Sequence, residues 1–112
     1  MREKRRHPRF SCVGTAEVHH PWAARPYPAR VKDLSVTGCK LVLLAEAAIE
    51  PRSIFELTFT VNRIPFRVHA RATGVRGPDG LGVEFVSLTL TATQNLYDLI
   101  DELAEKQRMV LR

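Results

Sequence analysis

Apolar and polar residues alternate with a period of two along most of this chain, which is the pattern of half-buried β-strands. In the clearest run, residues 54–61, every second residue is apolar: Phe55, Leu57, Phe59 and Val61. The same alternation returns over residues 64–72, after the dipeptide Asn62-Arg63. Two alternating runs joined by two residues of this kind predict a β-hairpin.

Four further strands are predicted from shorter runs. The first begins at Phe10 and has one inward face, Phe10, Cys12, Gly14, Ala16 and Val18, with Val13 on the other side. A proline-rich loop from Pro21 to Pro28 separates it from a short second strand at residues 30–32. The third strand covers residues 39–43, and the sixth presents Leu81, Val83 and Phe85 after a turn at residues 77–80. We expect Trp22, in the proline-rich loop, to pack locally.

The period changes near the end of the chain. Thr91 followed by Gln94 matches a capping box, which predicts a helix start. Leucine and isoleucine then recur at helical spacing at Leu96, Leu99 or Ile100, and Leu103. This apolar stripe indicates packing against the strands rather than a dimer seam, and both a monomer and a homodimer remain open.

Six short antiparallel strands, each with one apolar face, can bury that face by closing into a barrel. We therefore predict an all-β-dominated fold, a six-stranded antiparallel β-barrel with a C-terminal α-helix. We expect residues 1–9 to form a flexible basic arm, residues 10–88 the barrel, and residues 89–112 the helix and tail of a single domain.

Composition agrees with a single globular domain. The chain has 112 residues, of which 45% are apolar and 26% charged. Its two cysteines, Cys12 and Cys39, lie far apart without a CxxC pair, so neither a disulfide framework nor a zinc site is predicted. There is no apolar run of about 18 residues, and no signal-peptide pattern follows the basic start. We therefore expect a cytoplasmic protein without membrane insertion.

The positive charge is concentrated at the N-terminus. Of the net charge of +5, residues 1–9 contribute +4 and the remaining residues +1. A duplex nucleic acid is usually bound by a broad basic face, which this distribution does not provide. The short cationic arm instead favours a compact anionic partner with a few phosphates.

Two motifs combine into a chemical hypothesis. The arm has an RxxxR spacing through Arg5 and Arg9, and residues 33–38 form a DxSxxG turn through Asp33, Ser35 and Gly38. Arginine pairs with phosphate or with the O6/N7 edge of guanine, and a carboxylate matches the N1–H and N2–H donors of guanine. Serine adds a hydroxyl, and glycine permits a positive φ or a close backbone approach. Alone, each motif is an ordinary solvated arm or Asx-type turn; together they predict a guanine and phosphate site.

In this order and context the motifs resemble those of PilZ domains, the cyclic di-GMP receptor modules of bacteria. RRHPR matches the family's RxxxR, DLSVTG matches its (D/N)xSxxG, and residues 80–85 are similar to its last strand. The resemblance covers nearly the whole chain. It implies a barrel of six antiparallel strands with a C-terminal helix, and an arginine arm that wraps over cyclic di-GMP.

The resemblance also implies a role for each motif residue. The arginines of the arm would grip phosphates and guanine edges, with Arg6 stacking on or contacting a base. Asp33 and Ser35 would hold a guanine, and Gly38 would keep the surface clear. Closure of the arm would then alter the interaction with a downstream protein. The ligand-binding residues it implies are Arg5, Arg6, Arg9, Asp33, Ser35 and Gly38, with cyclic di-GMP as ligand and no other cofactor.

Other functions have weaker support in the sequence. The histidines, His7, His19, His20 and His69, have no metal-ligand spacing, and no P-loop, nucleophile elbow or dinucleotide motif occurs. We therefore predict no catalytic or metal-binding residues and no enzyme activity. One alternative is a small-barrel binder of single-stranded nucleic acid, which would need aromatic residues exposed on its sheet. Another is a PilZ-like interaction scaffold that does not bind the dinucleotide, against which the intact motifs argue.

Overall fold

The computed structural model describes residues 7–74, 77 and 79–110, and over this part of the chain it contains six β-strands and one α-helix. The prediction of antiparallel strands followed by a C-terminal helix is confirmed. The elements are β1 (Phe10–His19), β2 (Tyr27–Leu34), β3 (Gly38–Leu43), β4 (Ile54–Val61), β5 (Ile64–Ala72), β6 (Leu81–Ser87) and α1 (Leu90–Val110).

The strands close into a barrel in the order β1-β2-β3-β6-β5-β4, and every neighbouring pair is antiparallel. Pairing of β1 with β4 completes the circle. Because β3 lies beside β6 and β4 lies beside β1, residues 44–53 carry the chain from one side of the barrel to the other. Closure pairs the edges that an open sheet would expose, and it confirms the predicted architecture.

The interior is built from the alternating residues identified in the sequence. The inward side chains of β4 and β5 are buried along both strands. The ring of Phe59 stacks on Phe66 with centroids 4.8 Å apart and on Phe85 with centroids 5.8 Å apart. On the outside of β1, Val13 is exposed as predicted.

Two turns were predicted from their residues. Asn62 and Arg63 have φ values of 51° and 67°, which are the left-handed conformations of a two-residue hairpin turn. Gly77 and Gly80 exchange two backbone hydrogen bonds of 3.1 and 3.2 Å, so the chain also bends back there. Pro78, between them, lies outside the described residues.

The start of β2 differs from the prediction. The strand begins at Tyr27, and Pro28 pairs with Glu17, so the proline-rich loop ends earlier than expected. Pro28 cannot donate a hydrogen bond, but its carbonyl accepts one from the Leu44 amide at 3.0 Å. The expectation that Trp22 packs locally is wrong, since its side chain is almost fully exposed.

The start of the helix also differs. Thr89 is the N-cap, because its hydroxyl accepts the Ala92 amide hydrogen at 3.1 Å. The prediction of a capping box at Thr91 is wrong, since Thr91 lies in the first turn of α1. The sequence Thr89-Leu90-Thr91-Ala92-Thr93 offers three threonines at the boundary, and only the backbone geometry distinguishes the cap.

One face of α1 covers an end of the barrel. Four apolar side chains are buried, Leu96, Leu99, Ile100 and Leu103, and the helix contacts β1 and β5. At its end, the Gln107 amide nitrogen donates to the Ser11 carbonyl at 3.2 Å. The helix therefore covers the end at which β1 begins. No helix in the described part of the chain is both long and apolar enough to cross a membrane.

We expect Leu99→Ala to lower the free energy of unfolding by about 2–5 kcal/mol, because it removes a fully buried side chain between helix and barrel. The exposed Asp101 on the same helix gives the control, and Asp101→Ala should change the free energy by less than about 0.5 kcal/mol. Urea unfolding followed by circular dichroism measures both. Equal effects of the two substitutions would contradict the packing described here.

Candidate functional site

The register between β1 and β2 brings the two sequence motifs into contact. Phe10 pairs with Leu34 and Ser11 with Asp33, so the residue before β1 lies beside the end of β2. There the Arg9 guanidinium donates through Nη1 to Asp33 Oδ1 at 3.2 Å. The two side chains are 22% and 21% exposed, so the pair is shielded but reachable from solvent.

A bulge in β2 shapes the surface around Asp33. Val31 pairs with Leu41, and Asp33 with Lys40, so Lys32 is an extra residue in β2. Val31 and Leu34 are buried, which places Lys32 and Asp33 next to each other on the outer side of the barrel. The carboxylate of Asp33 therefore shares one stretch of the outer surface with Lys32, and Lys40 lies opposite them in β3.

The turn between β2 and β3 is organised by Ser35. This side chain is only 1% exposed, and its hydroxyl oxygen accepts hydrogen bonds from the amides of Thr37 (3.1 Å) and Gly38 (3.2 Å). The Ser35 amide donates back to the Gly38 carbonyl at 2.8 Å. The hydroxyl thus accepts two amide hydrogens inside the turn, and its own O–H lies 3.1 Å from Thr37 Oγ1 and 3.4 Å from the Gly38 carbonyl oxygen, so the donor also has partners there.

Gly38 serves the packing of the barrel. A Cβ at this position would collide with the Val83 carbonyl and approach the Glu84 Cα of β6. Of the two reasons for glycine considered from the sequence, the positive φ does not apply, since among the described glycines only Gly80 has one. The close approach applies, but between β3 and the backbone of β6.

Two thiols lie near the ion pair of Arg9 and Asp33. Burial, together with the nearby Asp33 carboxylate, raises the pKa of the Cys12 thiol to about 11. Burial also raises the pKa of Cys39, well above its usual range. Both thiols are therefore protonated at neutral pH and are poor nucleophiles. The chemistry that this surface offers is non-covalent binding of charged and hydrogen-bonding groups.

The structure brings together those predicted site residues that it describes: Arg9, Asp33, Ser35 and Gly38. The predictions for Arg5 and Arg6 fall outside the described residues. Among the residues described, no group of histidine, cysteine and acidic side chains could hold a metal ion.

Sequence reasoning missed a group of charged residues beside Asp33. Lys40 Nζ lies 2.8 Å from Asp79 Oδ2, and Lys32 Nζ lies 3.5 Å from the Asp79 carbonyl oxygen. The hydrogen bond from Lys40 holds the pKa of Asp79 below its ordinary value. Lys40 was detectable as an outward residue of β3, but the bulge in β2 and the position of Asp79 were not.

A larger groove lies elsewhere on the described surface. It has a volume of about 710 Å³ and crosses the outer faces of β1, β4 and β5, where Thr15, Thr58 and Thr60 line it. Its one basic side chain, Arg67, is engaged by both carboxylate oxygens of Glu56, at 3.0 and 3.2 Å. A second cleft of about 530 Å³ is bounded by Lys32 and Asp79. Charge therefore favours the surface around Arg9 and Asp33 as the binding site, although the groove across β1, β4 and β5 is larger than the cleft beside Lys32.

Comparison with known proteins identifies a family and similar folds. Residues 3–102 match the model of a family described as PilZ domain. Among solved structures, the chain is similar to the PilZ domain of YcgR from Escherichia coli with c-di-GMP, with a TM-score of 0.74, 18% identity, and coverage of 97% of this chain and 98% of the other. A structure of YcgR in complex with c-di-GMP, from the same organism, gives a TM-score of 0.79 at 18% identity, covering 97% of this chain and 50% of the other. No curated protein matches the chain.

We expect Gly38→Ala to destabilise the protein by about 1–3 kcal/mol, because the new Cβ collides with the backbone of β6. Gly74 provides the matched control, since a Cβ there meets nothing within 4 Å. Gly74→Ala should stay within about 0.5 kcal/mol of the wild type in urea unfolding. A Gly38→Ala variant as stable as Gly74→Ala would show that β3 and β6 are not this closely packed.

Proposed function

The chain belongs to the PilZ domain family, and we propose that it is a receptor for cyclic di-GMP, which it binds between the basic N-terminal arm and the β2–β3 turn. The observation that carries this proposal is the contact between Arg9 and Asp33. It places a guanidinium from the first motif and a carboxylate from the second on one surface, as a ligand with guanine bases and phosphates requires.

In the proposed complex, Arg9 and Asp33 exchange each other for groups of the ligand. Arg9 and Asp33 are joined by one nitrogen and one oxygen in a partly exposed position, a geometry that contributes roughly 0.2–1 kcal/mol. A guanine offers two donors to Asp33, and a phosphate or guanine edge offers two acceptors to Arg9. Each such bidentate contact contributes about 1–3 kcal/mol of discrimination against the wrong base. The exchange of partners therefore favours binding.

The remaining motif residues complete the proposed site. Arg5 and Arg6, with Arg9, supply the cationic arm that covers the ligand. Ser35 holds the turn by accepting the amides of Thr37 and Gly38, and its O–H exchanges its own partner in the turn for a base or phosphate oxygen when the ligand binds. Gly38 contributes through the backbone, because it lets β3 lie against β6 and so fixes the strand that follows the turn.

The YcgR structures lend support to this assignment. They contain c-di-GMP, and their fold covers 97% of this chain. At 18% identity the likeness concerns the fold, and the motif residues connect it to the ligand. We propose that the module is bacterial, cytoplasmic and non-catalytic. Closure of its arm over the ligand then changes the surface offered to a downstream protein.

The barrel does not favour the alternative of a single-stranded nucleic-acid binder. Stacking of bases requires aromatic side chains exposed on the sheet. Phe55, Phe59 and Phe66 are all buried, and Phe85 stacks on Phe59 from inside the barrel. Titration with cyclic di-GMP separates our proposal from the alternative of an interaction scaffold, which would not bind the dinucleotide.

Calorimetric titration with cyclic di-GMP tests the role of Asp33. The wild type should bind, and Asp33→Ala should lower the affinity by about 5- to 150-fold, which corresponds to the loss of one two-pronged base contact. The same variant should discriminate less between cyclic di-GMP and cyclic di-AMP. Asp101→Ala, which removes an exposed carboxylate on α1, should change neither quantity. An unchanged preference for guanine in Asp33→Ala would refute the assigned role.

The arginine contribution is tested by the dependence of binding on salt. Arg9→Ala should lower the affinity and also reduce the slope of log K against log salt concentration, because one cation fewer meets the phosphates. Arg25, which is exposed in the β1–β2 loop at the other end of the barrel, provides the control. If Arg25→Ala and Arg9→Ala reduced affinity and slope equally, a general electrostatic attraction would explain the data instead.

A further inference from the structure

We propose that Lys40 and Lys32 bind a phosphate of the ligand, and that the Asp79 carboxylate occupies Lys40 until that phosphate replaces it. The inference rests on the proposed function, since it extends the site beyond the two motifs. It adds the ammonium groups of Lys32 and Lys40 to the site, on the β3 side of Asp33. It also adds the carboxylate of Asp79, which competes with the ligand for Lys40.

The position of Lys40 follows from the strand register. It pairs with Asp33 across β2 and β3 at the bulge that contains Lys32, so Lys32 and Asp33 both lie opposite Lys40. Its neighbours in β3, Cys39 and Leu41, are fully buried, so Lys40 projects to the outer side. Asp33 therefore has Arg9 bonded to its carboxylate and Lys40 as its cross-strand neighbour in β3.

The side chain of Lys40 is unusually covered for a lysine. It is only 22% exposed, because Asp79 and Gly80 lie against it. Asp79 accepts from Lys40 through Oδ2 at 2.8 Å, and its carbonyl oxygen lies 3.5 Å from Lys32 Nζ. Two ammonium groups on different strands thus converge on one acidic residue.

This arrangement has the chemistry of a phosphate site occupied by a carboxylate. Both groups are compact oxyanions that accept hydrogen bonds from ammonium donors. The Asp79 side chain is 57% exposed, and an exposed ion pair contributes little free energy, so the exchange of partner costs little. A phosphate gains the same donors and presents more oxygens to them.

The adjoining cleft provides room for the exchange. It has a volume of about 530 Å³ and is bounded by Lys32 and Asp79, with Val42 and Leu44 among its apolar walls. Val42 and Leu44 are both exposed. A ligand held at Asp33 can therefore extend along the outer face of β3 once the Asp79 carboxylate has turned away.

The proposal predicts opposite changes in cyclic di-GMP affinity for substitutions of Lys40 and of Asp79, the two partners of one ion pair. Lys40→Gln removes a phosphate donor and should weaken cyclic di-GMP binding by about tenfold. Asp79→Asn removes the competing anion and should strengthen binding by about threefold. In the double variant the gain from Asp79→Asn should disappear, because the asparagine then has no lysine to release. Lys40→Gln should also reduce the salt slope.

The experiment is calorimetry of cyclic di-GMP binding at low ionic strength, on the wild type, both single variants and the double variant, repeated over a series of salt concentrations for the wild type and Lys40→Gln. Circular dichroism establishes that each variant is folded. The controls are Arg67→Gln and Glu56→Gln, which break an exposed ion pair between β4 and β5. Neither control should change the affinity.

The outcomes separate the two proposals. A wild type that does not bind cyclic di-GMP overturns the proposed function and this inference with it. A wild type that binds, with Lys40→Gln and Asp79→Asn both at wild-type affinity, overturns the inference alone. Weaker binding by Asp79→Asn would also overturn it, since Asp79 would then position Lys40 for the ligand rather than compete.

Discussion

The pairing of Phe10 with Leu34 and of Ser11 with Asp33 is the contact on which the binding surface depends. It joins the end of the basic arm to the end of β2, and it exists because β1 and β2 are neighbours in a closed barrel. The buried inner faces of the strands fix this register, since a slip by one residue would turn every side chain to the opposite face. Burial inside the barrel thereby positions the charges outside it.

The residues that hold the surface differ from those that offer it to a ligand. Ser35 and Gly38 are buried and are satisfied within the turn or packed against β6. Arg9 and Lys40 are partly exposed, and each makes a single ionic contact, Arg9 with Asp33 and Lys40 with Asp79. Such contacts are easily exchanged in water, whereas the turn beneath them is not. The site therefore combines a rigid base with charged groups that can change partners.

The sequence was most informative where hydrophobic periodicity decides the outcome. The inward face of β4 and the hairpin at Asn62-Arg63 follow from alternation and turn chemistry alone. The cap of α1 did not, because Thr89 and Thr91 are chemically equivalent and only the backbone distinguishes them. The packing role of Gly38 and the partners of Lys40 depend on which strands become neighbours. That information lies in the closure of the barrel rather than in any local pattern.

The most direct test of the binding surface is a titration of the ¹⁵N-labelled protein with cyclic di-GMP, followed by amide chemical shifts. The largest changes should fall on residues 9–11 and 33–40, where the arm meets the β2–β3 turn. Amides around Thr15, Thr58 and Thr60, in the larger groove across the barrel, should change little. Changes concentrated in that groove, or none at all, would contradict the account.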